Sequence, residues 1–267
     1  MRDTLHLYGR FIAASVRGQM QYRASFVMQT LAQFAATAME FFAIWALFHR
    51  FNKLGPWSLP EVGVFFGVVG VAWTLTDTIS RGFDVFGRSV RNGEFDRVLL
   101  RPRSTVFQLI AQETQLRRMG RMVQVGGVLI WAWLALDLGW DLERLLLLTA
   151  AILGGAALFM GLLIIQATIS IWTVESLEIM NIMTYGGVTT AQYPLSIYPD
   201  WLRRFFLFFV PLGVTMYFPV VRILGKTDPL GSPAWLGWAG PLAGFLFLAV
   251  ALRVWRFGVR HYTSTGS

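Results

Sequence analysis

Four polar side chains interrupt apolar stretches of this sequence. Gln29, Gln33 and Glu40 are spaced so that they fall on or near one face of a helix. Asp77 lies near the end of the next apolar stretch. A charge at the bilayer centre costs at least ~2.5–3.5 kcal/mol on insertion scales, so Glu40 should face a cavity or a partner. The chemistry we predict is noncovalent contact with a polar or cationic substrate that passes along this face.

Weaker candidates for the same path occur later in the chain. Gln166 lies inside a long apolar stretch, and Glu175 and Glu178 follow the end of that stretch. For Glu40 the alternative is a protonated carboxyl group that is hydrogen-bonded to a neighbouring helix, and the residue pattern leaves both open. The predicted substrate-path residues are Gln29, Gln33, Glu40, Asp77 and Gln166.

Covalent catalysis has little support in the sequence. The three histidines, His6, His49 and His261, are far apart, and no HExxH pair or GxSxG nucleophile motif occurs. Residues 225–227 (GKT) imitate the end of a phosphate-binding loop, but Val220 occupies the position of that loop's first glycine. The absence of cysteine excludes disulfides and thiolate metal sites. We therefore predict that the chain is not an enzyme and holds no cofactor or metal.

The composition is typical of an integral membrane protein. Hydrophobic residues make up 55% of the chain and charged residues 14%, whereas soluble domains contain about 45–50% and about 25%. The length of 267 residues suits about six membrane spans with short connections. The net charge of +8 is concentrated between spans and near the termini, which indicates contact with anionic membrane lipid rather than nucleic acid.

Residues 81–121 form a basic island between apolar stretches, with nine arginines and four acidic residues. A polar segment this long and basic should stay on the cytoplasmic side. Apolar residues recur at helical steps in residues 95–99 and 106–110, and Arg101-Pro102-Arg103 separates the two runs. We predict two short helices with one apolar face each. The alternative is a solvated loop that only fixes the orientation of the chain.

Hydrophobic periodicity predicts an all-α membrane protein with a single transmembrane domain over residues 1–267. Six spans are predicted, at residues 25–48, 61–80, 122–138, 145–172, 179–193 and 235–255. Residues 1–23 have the spacing of an amphipathic helix on the inner membrane surface, or of a cytosolic extension of the first span. Small residues at Ala151, Gly155, Ala157 and Gly161 predict close helix packing in the fourth span.

Residues 194–233 are ambiguous. Residues 205–221 are apolar enough for a seventh span, but Pro211 and Pro219 interrupt them. Non-helical backbone at membrane depth survives only where protein or a water-filled cavity surrounds it, so we predict an extracellular re-entrant hairpin. With six spans and both termini cytoplasmic, most Lys and Arg residues lie inside, whereas a seventh span would put the C-terminal arginines outside.

Several motifs resemble the membrane subunit of ABC exporters of the ABC-2 type, in particular a bacterial subgroup of small six-span permeases. Residues 93–102 (GEFDRVLLRP) are similar to the subgroup's loop G-x-L/F-D-x-x-L-x-R/K-P. Residues 194–202 (PLSIYPDWL) are similar to the start of its re-entrant region, and residues 260–266 (RHYTSTG) to its usual ending. The re-entrant residues that this resemblance singles out are Pro194, Pro199, Trp201, Pro211 and Pro219.

The resemblance implies the transmembrane permease subunit of an ATP-driven exporter in the inner membrane. The basic island would then hold a coupling helix that docks on separate ABC ATPase subunits, and those subunits would bind ATP and Mg. A second permease chain, identical or different, would complete the substrate path. The implied ATPase-coupling residues are Gly93, Glu94, Phe95, Asp96, Arg97, Leu100, Arg101 and Pro102. The alternative is a stand-alone secondary transporter or channel, which usually has broken spans in corresponding halves.

Overall fold

The structure is a computed structural model that describes residues 17–18, 21–112, 118–173 and 177–263. Across these residues the chain is helical, and extended pairing is limited to a single bridge between Leu54 and Trp57. The all-α prediction is therefore confirmed for the described part of the chain. The helix predicted for residues 1–23 falls almost entirely outside the described residues.

Four described helices are long and apolar enough to cross a membrane. They are α1 (Arg23–Phe51), α2 (Leu59–Ile79), α8 (Leu142–Ile169) and α12 (Leu236–Arg260). Two further helices coincide with predicted spans but are shorter: α7 (Met119–Ala135) has 17 residues and α9 (Leu177–Ala191) has 15. Each of the six predicted spans thus coincides with a helix, and four of those helices have full spanning length.

The described part of the basic island contains four short helices, whereas the sequence predicted two. They are α3 (Arg81–Asp84), α4 (Phe86–Arg91), α5 (Glu94–Leu99) and α6 (Thr105–Gln112). The predicted break at residues 101–103 lies between α5 and α6, as expected from the proline there. Gly93 precedes α5 with φ of 67°, a left-handed conformation that glycine adopts without strain.

Local signals explain where two of the long helices begin. Ser58 and Glu61 form a capping box at the start of α2, in which the Ser58 amide donates to Glu61 Oε2 at 2.7 Å. Asp141 caps α8 by accepting the Arg144 amide at 2.8 Å. Both caps lie in short connections, which supports the turn positions expected from the sequence.

Helices α8 and α12 form the most tightly packed pair in the described structure. A Cβ atom at Gly244 of α12 would overlap the carbonyl oxygen of Gly154 of α8. A Cβ atom at Gly154 would in turn lie 2.6 Å from the carbonyl oxygen of Pro241. The backbones therefore touch, as they do in membrane helices with small residues at the interface.

Residues 194–235 begin and end at the same end of the bundle. A 3₁₀ turn (Leu195–Ile197) leads into α10 (Asp200–Arg204), which continues as a π-helix to Phe209. After a bend of 85°, a second π-helix (Gly213–Tyr217) continues into α11 (Phe218–Ile223). No straight helix runs through this described segment, and the bent pair has the composition of either a broken span or a re-entrant loop.

The α1–α2 turn marks the end of the bundle where this segment begins and ends. Trp57 Nε1 donates to Ser196 Oγ at 2.9 Å. On the far side of the bend, Lys226 Nζ donates to the Pro56 carbonyl oxygen at 3.1 Å. The basic island contacts the opposite end of the bundle, where Trp255 Nε1 of α12 donates to Thr105 Oγ1 of α6 at 3.0 Å. The turn and the basic island thus lie at opposite ends.

Candidate functional site

The residues of the GEFDRVLLRP motif divide into an anchored side and an exposed side. Phe95 is fully buried, and its ring meets those of Phe86 at 4.7 Å, Tyr262 at 5.0 Å and Trp255 at 6.2 Å. Leu100, by contrast, is 85% exposed, although it is apolar. The exposed motif residues are Glu94, Arg97, Leu99, Leu100, Arg101 and Pro102, while Gly93 and Asp96 are half-buried.

The aromatic cluster around Trp255 joins the basic island to the scaffold. Phe83 of α3 and Phe86 of α4 pack edge-on against Trp255, with ring centroids 5.3 and 5.1 Å away. Phe95 completes the contact from α5. Edge-to-face pairs at these separations are favourable beyond the area they bury. Helix α5 is therefore tied to the end of α12, while its side chains Glu94 and Arg97 are exposed.

A cavity of about 340 Å³ lies among α1, α2, α7 and α9. Its wall includes the aromatic rings of Phe66, Trp73 and Tyr185 and one acidic side chain, Glu40. Arg121 of α7 also lines it, and its Nη2 lies 3.7 Å from Glu40 Oε2. The structure thus brings Glu40 to a cavity, as expected for a carboxylate at this depth, and supplies a cation that the sequence analysis missed.

The other predicted substrate-path residues do not line this cavity. Gln29 lies on exposed α1 and donates to Ser25 at 2.9 Å, and Gln33 is half-buried on the same helix. Asp77 and Gln166 instead belong to a polar cluster at the C-terminal ends of α2 and α8. The side chains of Glu175 and Glu178 lie outside the described part of the chain.

This polar cluster is built on a buried carboxylate. Asp77 is 1% exposed and forms an ion pair with Arg118. Arg81 Nη1 lies 4.0 Å from Asp77 and forms a second ion pair with Asp84. The Tyr185 hydroxyl donates to Asp84 Oδ2 at 3.1 Å. A buried charge needs such partners, and the cluster links the basic island to α2 and α9.

The sequence predicts only part of this cluster. Arg81 follows Asp77 by one helical turn, a spacing that favours ion pairing. Arg118 is far from Asp77 in sequence, so only the packing of α7 on α2 brings the two together. Tyr185 carried no local signal, because its partner lies on a short helix that the sequence analysis did not predict.

The opposite end of the bundle holds a cavity of about 500 Å³ between the start of α8 and the residues around α11. Its charges are paired: Arg222 Nη2 lies 2.8 Å from Glu143 Oε1, and Lys226 Nζ lies 2.6 Å from Glu61 Oε1. Asp228 accepts a hydrogen bond from the Tyr217 hydroxyl at 2.7 Å.

The residues predicted for the re-entrant region differ in burial: Pro194 and Pro219 are buried, Pro211 is half-buried, and Pro199 and Trp201 are exposed.

The described residues contain no group of three or more His, Asp or Glu side chains placed to hold a metal ion. The described residues combine a helical bundle with a partly polar cavity, a buried ion-pair cluster and a charged helix that is anchored on one side.

Comparison with known families agrees with this arrangement. The sequence model of a family described as "ABC-2 family transporter protein" matches residues 34–266. No curated protein and no solved structure matches the chain. The match covers most of the chain, and with the apolar helices it indicates a multi-pass membrane protein. The resemblance in the sequence is therefore confirmed, and the chain belongs to the ABC-2 family of transporter proteins.

Proposed function

We propose that this chain is the transmembrane permease subunit of an ATP-driven exporter. It would work with a second permease chain and with separate ABC ATPase subunits, which would bind ATP and Mg. The observation that carries the proposal is the construction of α5. Its buried Phe95 fixes it to Trp255, while Glu94, Arg97 and Arg101 point into solvent. A helix anchored on one side and charged on the other suits a partner that pushes on the membrane domain.

The proposed topology has six spans with both termini in the cytoplasm. The basic island would lie on the cytoplasmic side, because positively charged loops are retained there. The α1–α2 turn and residues 194–235 would then lie outside, and the bent pair around Pro211 would be a re-entrant hairpin. The contacts of Ser196 and Lys226 with that turn support this arrangement, because they bring both flanks of the hairpin to one end.

The substrate path is proposed at the cavity among α1, α2, α7 and α9. Helix α1 has few buried residues and packs mainly on α7, so most of its apolar surface has no partner within the described chain. A second permease chain would cover that surface and close the cavity from the other side. The cargo we propose is amphiphilic, because the cavity wall combines aromatic rings with Glu40 and Arg121.

Energy for transport would come from the partner. ATP binding would bring the ATPases together and displace α5, and through Trp255 this displacement would reach α12. The permease would alternate between inward- and outward-open states, and its ligands could shift that equilibrium only by their differential affinity for the two states. Export is the direction that the family resemblance favours.

The test is co-purification of this chain with an ABC ATPase from its native membrane. We expect Asp96→Arg and Arg101→Glu to abolish co-elution, because each reverses a charge on or next to α5. Arg256→Glu is the matched control, since it reverses an exposed charge on α12 outside the motif. Retained co-elution of both loop variants would contradict the docking site. Gradient-driven flux through the purified chain alone would support the stand-alone transporter instead.

A further inference from the structure

We infer that the chain carries a second binding site, for the phosphate of an anionic lipid headgroup in the inner leaflet. The site is a cavity of about 240 Å³ where α3 and α4 meet α8 and α9. Three arginines line it, Arg81, Arg88 and Arg91, together with one carboxylate, Asp84. Nothing in the transport proposal uses this cavity.

The charge of the cavity favours an anion. Arg81 is paired with Asp84, which leaves Arg88 and Arg91. Neither of these two arginines forms an ion pair with any residue that the structure describes, and both are exposed on α4. Guanidinium groups bind phosphate through paired, charge-assisted hydrogen bonds. The cavity therefore has an excess of the donors that a phosphate group requires.

Two buried polar atoms of residues that line the cavity have no hydrogen-bond partner in the described structure. Gln166 is 2% exposed, and its Oε1 atom has no hydrogen-bond partner in the described structure. Its amide nitrogen reaches only Asp84 Oδ1, at 3.5 Å. Arg81 Nε is likewise buried without an acceptor among the described residues. Unpaired buried polar atoms are costly, so a ligand that supplies an acceptor to Arg81 and a donor to Gln166 would stabilise this site.

The position of the cavity, between the short helices of the basic island and helices α8 and α9, favours a lipid over a soluble protein. Tyr185, which lines it, lies eight residues after the start of α9 at Leu177. At 1.5 Å per residue, the cavity reaches about 12 Å along that helix. A docked ATPase would meet the exposed face of α5, not a recess between membrane helices. Basic pockets between transmembrane helices on the cytoplasmic side suit anionic headgroups, whose tails remain in the bilayer.

The experiment uses the purified full-length chain in detergent, without any ATPase, titrated with phosphatidylglycerol and observed by native mass spectrometry. Phosphatidylcholine tests whether a net negative headgroup is needed, and inorganic phosphate tests whether the tails are needed. The variant is Arg88→Gln/Arg91→Gln. Its matched control is Arg253→Gln/Arg256→Gln, which removes two exposed arginines of α12 that do not line the cavity.

We expect Arg88→Gln/Arg91→Gln to weaken phosphatidylglycerol binding at least about tenfold more than the control does, because an arginine in a pocket contributes beyond its general attraction to anionic lipid. Phosphatidylcholine binding should change little in either variant. Thermal unfolding of the two variants should be alike, which separates loss of binding from loss of fold.

Three results would overturn the inference. Equal weakening by the two variants would show only general attraction between charges. Inorganic phosphate that binds as tightly as the lipid would make the ligand a soluble anion. Unchanged lipid binding, with ATPase co-elution lost in Arg88→Gln/Arg91→Gln alone, would assign these arginines to the protein partner. Because no ATPase is present in the binding assay, the lipid-binding result can be interpreted even if the proposed transport function is wrong.

Discussion

The α8–α12 pair and helix α1 are both apolar, yet they are packed in opposite ways. In the pair, Gly154 and Gly244 let the two backbones touch, and much of α8 is buried. Helix α1 contains no glycine, and only Thr37, Ile44 and Phe48 are buried along its 29 residues. The exposed large residues of α1 include Met28, Leu31, Phe34, Met39, Phe42, Trp45 and Phe51.

Hydropathy alone therefore does not determine what a membrane helix contacts. Lipid tails are as apolar as leucine, so helices associate through close packing of small residues and through polar contacts. The glycine-lined pair behaves as a fixed scaffold, whereas α1 offers a surface for lipid or for another chain.

Gly244→Leu should prevent the accumulation of folded protein. The new side chain would meet the Gly154 carbonyl oxygen, and a backbone atom cannot move aside as a side chain can. The cost should exceed the usual ~1–3 kcal/mol of an overpacked core. The measurement is the yield of monodisperse protein after extraction, compared with Ala35→Leu on exposed α1, which should behave like the parent. Equal yields for the two variants would mean that the α8–α12 contact is not rigid.

Trp255→Ala should lower stability by about 3 kcal/mol, near the lower end for removal of a buried tryptophan. Trp255 is 1% exposed and holds Phe83, Phe86 and Phe95 against α12. Trp45→Ala on α1 is the matched control, because Trp45 is 43% exposed. Thermal unfolding in detergent would measure both, and a comparable loss for Trp45→Ala would remove the distinction between scaffold and outer helix.

Glu40→Gln should have the smallest effect on stability. The carboxylate is exposed and lies 3.7 Å from Arg121, and exposed ion pairs typically contribute about 0–1 kcal/mol. Its effect should appear in transport, as a modest fall in the preference for a cationic over a neutral amphiphile in reconstituted vesicles. Identical preferences in the variant and the parent would show that Glu40 does not contribute to selection of the cargo by its charge.

The sequence predicted those parts of the molecule whose signals are local. Small residues at Gly155 and Gly161 predicted close packing, and the structure confirms it: Cβ atoms there would press on Met216 and Phe247. The break at residues 101–103 followed from the proline there. The position of Glu40 beside a cavity followed from the cost of placing a charge within a bilayer.

Features that depend on distant contacts could not be predicted in the same way. Helices α3 and α4 exist largely because Phe83 and Phe86 pack on Trp255, which is more than a hundred residues away in sequence. The partner of Asp77 is Arg118, which reaches it only through the packing of α7 on α2. A single sequence carries no local sign of either contact.

The contacts of Ser196 and Lys226 with the α1–α2 turn constrain how this end of the bundle can rearrange. Ser196 is bonded to Trp57, and Lys226 is bonded both to Pro56 and to Glu61, which also caps α2. Both flanks of the bent segment are therefore held by the short α1–α2 turn. Any movement of this segment would therefore require the α1–α2 turn to move with it, or the contacts of Lys226 to break first.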